Sequence, residues 1–237
     1  MSIKVNALNK RIGTLQIFEH FSLEAADRES VALLGPSGCG KSTLLNLIAG
    51  ILSPDHGSIF LGGEDWSGRS GRVSYMQQKD LLLPSRRLID NVGIPLELKG
   101  CSRQTARQQV KPHLAEFGLE DFADYYPAQL SGGMRQRAAL LRTFLFADDI
   151  LLLDEPFAAL DAITRHRMQL WLKDWLLQHP MTVLLVTHDI EEALLMCRRI
   201  YVLSARPARL LADITVAPED PPELRRHQKQ EIFKLLA

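Results

Sequence analysis

Val31-Ala32-Leu33-Leu34-Gly35-Pro36-Ser37-Gly38-Cys39-Gly40-Lys41-Ser42-Thr43-Leu44-Leu45-Asn46-Leu47-Ile48-Ala49 decides the fold. An apolar run enters a glycine-rich turn, and the turn opens into a helix; this is the setting that a phosphate-binding loop requires. The glycines let successive backbone N–H groups point inward at an anion, and the helix N-terminus behind them adds partial positive charge. Lys41 can then reach the β- and γ-phosphates of a nucleotide, and the Ser42 hydroxyl can ligate Mg²⁺. A glycine turn that merely starts a helix is the competing reading. With glycine near ~7% of residues, this spacing arises by chance in about one chain in a hundred of this length. The flanking strand and helix make coincidence rarer still.

The chain of 237 residues is long enough for one large α/β domain with a subdomain inserted into it. Its 46% hydrophobic and 24% charged residues are ordinary for a soluble globular protein. With 28 basic and 28 acidic residues the net charge is zero, so no nucleic-acid footprint is expected. Cys39, Cys101 and Cys197 are odd in number and form no C-x-x-C pair, which argues against disulfides and structural zinc and for a reducing cytosol. The N-terminal residues lack the apolar core of a signal peptide, and no stretch approaches the ~18 apolar residues of a membrane span. Work at a membrane would therefore go through a partner.

In chain order, Ile3 to Leu8, Phe21 to Ala25 and Val31 to Leu34 read as strands, followed after the glycine loop by Ser58 to Leu61 and Arg72 to Met76. From about Leu88 to Phe146 the pattern turns helical, with Ser102 placed to cap one helix and a second starting after Ser131. This block reads as a helical subdomain of about residues 87–147 inserted between core segments 1–86 and 148–237. Ile150 to Leu153 is too uniformly apolar for a sheet face in water and reads as a buried parallel strand. A helix from Ala162 to Gln178, a strand from Thr182 to Val186, a helix from Ile190 to Met196 and a strand from Ile200 to Leu203 follow. The loop Ala217 to Pro222 then leads to a helix near Glu223 to Leu236.

Asp154-Glu155 closes the buried strand where α/β sheets bind ligands. Asp154 is placed to hold Mg²⁺, and Glu155 has the chemistry to polarise an attacking water. Alone, such a pair is more often a helix N-cap; after a phosphate loop the catalytic reading wins. Ser131-Gly132-Gly133 is a second glycine-rich helix start able to bind an anion, or an ordinary serine cap with two flexible glycines. One nucleotide should not need two cradles on one face, which hints that this surface serves a nucleotide held by another copy of the chain.

GPSGCGKST, LSGGMRQR, ILLLDEP, Ala159-Leu160-Asp161 and Thr187-His188-Asp189 occur in the order and approximate spacing found in the ATPases of ABC transporters, and the chain resembles that family over nearly its whole length. The LSGGMRQR form, without a C-terminal regulatory domain, looks most like the subunits of bacterial nitrate, sulfonate, taurine and thiamine-precursor importers. The resemblance implies an α/β P-loop NTPase core of RecA-like type, with an N-terminal antiparallel β subdomain and an inserted α-helical subdomain. It further implies that two copies sandwich two ATP·Mg²⁺ head to tail, each between residues Gly35 to Thr43 of one copy and Ser131, Gly132 and Gly133 of the other. In that arrangement Glu155 is the general base, His188 holds the γ-phosphate and attacking water, and Asp161 signals across the dimer. Gln78, a better match than Gln77, contacts Mg²⁺ and relays movement to an integral membrane permease. A separate substrate-binding protein and a peripheral location on the cytoplasmic face of the inner membrane complete the expectation. Each role has a plainer competitor: His188 as a cap or core histidine, Gln77 and Gln78 as solvated loop residues, Asp161 as the cap of the helix from Ala162.

The position where the family commonly carries an aromatic over adenine falls at Ile12, so weaker ATP affinity or looser base selectivity is expected. Cys39 lies within the phosphate loop, either as small filler or as a site where alkylation blocks ATP hydrolysis and ATP·Mg²⁺ protects. The stretch Gln78 to Glu97, with Leu81-Leu82-Leu83-Pro84, is the expected permease-docking surface, some of its leucines belonging instead to the core. A phosphate-loop kinase or GTPase would need neither LSGGM nor His188. The runner-up is a non-transport member of the family acting on nucleic acid or ribosomes, but neither tandem cassettes nor a basic extension is present.

Overall fold

A computed structural model describes residues 1–145, 147, 149–217 and 220–236. Phe146, where the helical stretch was expected to end, Asp148 at the expected boundary, and Pro218-Glu219 of the tail loop lie outside the described residues.

The chain opens with a hairpin of β1 (Ile3–Ile12) and β2 (Leu15–Ala25), followed by β3 (Ser30–Leu34), the glycine loop and α1 (Lys41–Ile48). Next come β4 (His56–Leu61), the two-residue β5 (Glu64–Asp65) and β6 (Ser74–Met76). The inserted helices are α2 (Leu88–Val92), α3 (Ile94–Leu98), α4 (Arg103–Glu116) and α5 (Gly132–Phe144). The α/β order then resumes with β7 (Ile150–Asp154), α6 (Ala162–Gln178), β8 (Thr182–Val186), α7 (Ile190–Met196), β9 (Arg199–Leu203), β10 (Leu210–Thr215) and α8 (Pro222–Leu236).

Two sheets result: an antiparallel one in the order β2-β1-β4-β5, and a mainly parallel one in the order β10-β9-β3-β8-β7-β6. Consecutive residues of the central strands serve two different cores. Val31, Leu33, Leu152 and Leu184 pack with α1 and the antiparallel sheet. Ala32, Leu34, Leu151, Leu153 and Leu185 pack with the helical side. Burial on both faces is the reason these strands lack alternation.

The hairpin is longer than the pattern predicts, because register shifts after Val5, Leu8 and Lys10 break the period of two that would have revealed it. β6 is shorter than Arg72 to Met76, and β5 forms within a stretch read as loop. β10 was not foreseen: it is an antiparallel edge strand of which only Ile214 is buried, so its sequence carries no two-sided signal. Ser102 caps α4 as expected, accepting the Thr105 N–H at 3.1 Å.

Candidate active site

The loop Gly35 to Gly40 joins β3 to α1. Gly40 carries φ 121°, and a Cβ there would stand 2.6 Å from Ile17 Cγ2, so only glycine lets the loop turn beneath the hairpin. The buried Lys41 donates from Nζ to the carbonyls of Gly35 at 2.7 Å and Pro36 at 3.0 Å, which closes the inside of the loop. A cavity of about 460 Å³ lies over it, lined by Ser37, Gly38, Gly40, Lys41, Ser42 and Thr43. Its other walls are Ile12, Leu15 and Ile17 of the hairpin, Gln78, Glu155, and Arg206. Ile12 and Leu15 are both about half exposed at its rim, so the hairpin presents aliphatic carbon there.

Asp154 ends β7, 2% exposed. Burial, aided by the charge of Glu155, pushes its carboxyl above the usual range, while hydrogen bonding from Ser42 and the charge of Lys41 oppose this. Its Oδ1 has no hydrogen-bond partner among the described residues. A buried, unsatisfied carboxylate oxygen next to a hydroxyl and a phosphate cradle is a donor set suited to a hard divalent cation. Among the described residues no group of three or more His, Cys, Asp or Glu could hold a metal ion, so beyond the oxygens of Asp154, Ser42 and Gln78 such an ion would draw on phosphate and water.

Glu155 adopts φ 49°, unusual for a residue with a Cβ, and its N–H donates to Val186 O at 2.9 Å. That conformation turns the side chain out of the strand direction. Gln78 Nε2 donates to Glu155 Oε2 at 3.1 Å, and His188 Nδ1 lies 3.6 Å from Oε1. His188 is neither core nor cap: its side chain is 69% exposed, and Asp189 caps α7 by accepting from Glu191 and Glu192.

Ser131 caps α5 by accepting the Met134 N–H at 3.2 Å, and Asp161 caps α6 by accepting the Thr164 N–H at 3.0 Å. Ser131, Gly132, Gly133 and Asp161 do not line the cavity over the loop. A Cβ on Gly133 would press on Leu160 at 3.3 Å, but one on the exposed Gly132 would meet only Arg135 Nη2, at 4.0 Å. Packing within this chain therefore does not require glycine at residue 132.

Cys39 is 1% exposed and packs in the core beneath the loop, its Sγ close against Gly35. It therefore fills space beneath the loop rather than lining the cavity, and alkylation of the thiol requires the loop to open. Among the expected docking leucines, Leu82 is buried while Leu81 and Leu83 are about half exposed.

Three features were missed. Gln136 on α5 donates to Glu155 O at 3.0 Å and accepts the Ala159 N–H at 2.6 Å, clasping the segment after β7. Arg135 and Arg142 of the same helix bind the Asp80 carboxylate and the Asp80 and Leu81 carbonyls, fixing the segment after Gln78. Arg206 reaches the cavity from the far end of the sequence. A signal existed for Gln136, a polar residue on the face that carries the buried Ala139, Leu140 and Thr143; for Arg206 there was none.

The family profile for ABC transporters matches residues 18–158. The chain belongs to the ABC transporter family. Among ABC relatives it is 42% identical over 210 residues to the formylaminopyrimidine import ATP-binding protein ThiZ of Halalkalibacterium halodurans, covering 89% of this chain and 80% of the relative. It is 41% identical over 200 residues to the taurine import ATP-binding protein TauB of Pseudomonas aeruginosa, covering 84% and 76%. The dimeric structure of MJ0796, a bacterial ABC transporter cassette, superposes with a TM-score of 0.83 at 28% identity, covering 91% of this chain and 99% of that one. A post-hydrolysis state of the MJ0796 cassette bound to ADP and Pi superposes with a TM-score of 0.78 at the same identity, covering 89% and 99%. The ABC fold is thus present throughout: a P-loop core, an N-terminal antiparallel sheet, and helices inserted between β6 and β7.

Proposed function

We propose that the chain is the ATP-binding and ATP-hydrolysing subunit of an ABC importer, in which a pair of copies drives a membrane permease. The observation that carries this is the convergence of Gln78 and His188 on Glu155 beside the loop that holds Lys41. Backbone N–H groups of residues 35 to 43, with Lys41, bind the polyphosphate and stabilise charge that develops on the γ-phosphoryl oxygens. Glu155 orients a water and takes its proton as the oxygen attacks phosphorus; the bond to the β-phosphate oxygen breaks, releasing ADP and phosphate. His188 and Gln78 hold the carboxylate and the water in line. Ser42 and Asp154, joined by Gln78 on closure, would hold Mg²⁺, which when bound neutralises phosphate charge.

The second half of the site is Ser131, Gly132 and Gly133 of another copy, and Asp161 lies next to that contact. The likeness to a dimeric cassette and the open position at Gly132 support this arrangement. Movement on closure passes through the segment after Gln78 and the helical subdomain, about residues 87–147, to the permease, with Leu81 and Leu83 on the docking face. Among the described residues no helix is long and apolar enough to cross a membrane. We place the chain peripherally on the cytoplasmic face, with a separate binding protein delivering cargo.

The test is to trap Glu155→Gln with ATP in detergent-solubilised membranes and identify what copurifies. A polytopic membrane protein is expected. Recovery of ribosomes or nucleic acid instead would overturn the transport reading.

A further inference from the structure

Arg206 has no part in the mechanism above, yet a built turn positions it. Residues 204–209 connect β9 to β10. The Ser204 N–H donates to Arg209 O and the Arg209 N–H donates to Ser204 Oγ, each at 2.9 Å, which closes the turn. Ala208 donates to Ile17 O at 2.8 Å and bridges in parallel with Phe18, so the turn is fixed to the hairpin that lies against Gly40. Arg209 pairs with Glu19 of the same hairpin at 3.7 Å. Arg206 thereby stands over the phosphate loop, its Nη2 3.7 Å from the place a Cβ on Gly38 would take.

Lys41 and Arg206 are the two cationic side chains lining the cavity among the described residues. The Lys41 ammonium is bound to the carbonyls of Gly35 and Pro36, inside the loop. The Arg206 side chain is exposed, and no carboxylate of the described residues pairs with it. A polyanion seated on the N–H groups of the loop at Gly38 comes within reach of this guanidinium, whose planar fork suits phosphate oxygens.

We propose that Arg206 is a nucleotide-binding residue whose guanidinium contacts the polyphosphate at Gly38, giving the cradle a second cation besides Lys41. This rests on the cavity being the ATP site. Because the contact is to phosphate, it is blind to the base, and it compensates for the aliphatic rim formed by Ile12 and Leu15.

The test measures displacement of a fluorescent ATP analogue by ATP and by inorganic tripolyphosphate, from the wild type, Arg206→Ala and Arg206→Lys, at low and moderate salt. Loss of one charged hydrogen-bond donor should weaken ATP and tripolyphosphate by a similar factor, about tenfold. Arg206→Lys should recover most of the loss, and Arg206→Ala should reduce the dependence on salt. Unchanged thermal melting without nucleotide checks that the variants fold. An effect on ATP alone would mean that Arg206 touches the base and would overturn the proposal, as would no effect on either ligand. Failure of the underlying reading is distinct: the wild type would then bind neither ligand, or Lys41→Ala would bind both as well as the wild type.

Discussion

Gln78 Nε2 donates to Glu155 Oε2 across 3.1 Å, joining residues 77 positions apart, one from the segment after β6 and one from the end of β7. Their strands are parallel neighbours, so the sheet itself brings amide and carboxylate together. Glu155→Gln keeps the size and loses the base, and should lower steady-state phosphate release by about 10²- to 10⁴-fold with little change in ATP affinity. Gln78→Ala should cost less, about tenfold in kcat, because it positions the carboxylate without taking the proton. Equal losses in the two variants would contradict this ranking, in which Glu155 is the base and Gln78 supports it.

Gln136 uses both ends of its amide on the backbone after β7. Gln136→Ala removes both hydrogen bonds and should destabilise the fold by about 1–2 kcal/mol, read as a fall in Tm of a few degrees. Turnover should fall with it, since the backbone of Glu155 loses its tether. Gln136→Glu can still accept from Ala159 but sets a buried carboxylate oxygen against Glu155 O, and should be at least as damaging as Gln136→Ala in both measurements.

How far the sequence reveals the molecule depends on the reach of each feature. The loop at residues 35 to 40, β7, α6, β8 and α7 are written in contiguous residues whose apolar runs and caps are local, and they stand where the pattern predicts. The register shifts in the hairpin and the half-exposed β10 leave no periodic trace. In the site, the residues themselves point to Glu155 at the end of a buried strand, while His188 and Gln78 are singled out only through the resemblance of the ordered motifs to the ABC family. The clasp by Gln136 and the placement of Arg206 depend on long-range contacts that no window of sequence contains. Cys39 illustrates the opposite limit: its place in the loop is legible, but the direction of its side chain into the core is not.

Glu192 is 4% exposed, held by Gln169 Nε2 at 3.3 Å, with Oε1 unpartnered among the described residues. Burial first, then the charge of Asp189, pushes its carboxyl up to about 7, against hydrogen bonds from Gln169 and Thr187 and the charge of Arg165. A folded-state pKa above the unfolded value means that the native state binds the extra proton. Its stabilisation is complete below about 4.5 and is lost as pH rises to about 7. Glu192→Gln should therefore raise Tm at pH 8 by about 5 °C and leave it nearly unchanged at pH 4.5. A gain of equal size at both pH values would contradict this assignment.

Gly132 is exposed at the start of α5, and a side chain there meets nothing of this chain closer than 4.0 Å. Gly132→Ala should leave the thermal melt within about 1 °C of the wild type, as surface substitutions do. ATPase activity should nevertheless fall about tenfold or more, because the methyl group obstructs the close approach of a partner's nucleotide. Activity as unaffected as stability would mean that nothing docks at this helix start.

The central claim is that Lys41 and Glu155 make half of a site completed by Ser131 of a second copy. Its most direct test is the specific ATPase activity of the isolated chain, measured at saturating ATP over a hundredfold range of protein concentration. Activity per molecule should rise with concentration and level off as pairs form; a flat response across the whole range, with the chain monomeric throughout, would contradict it.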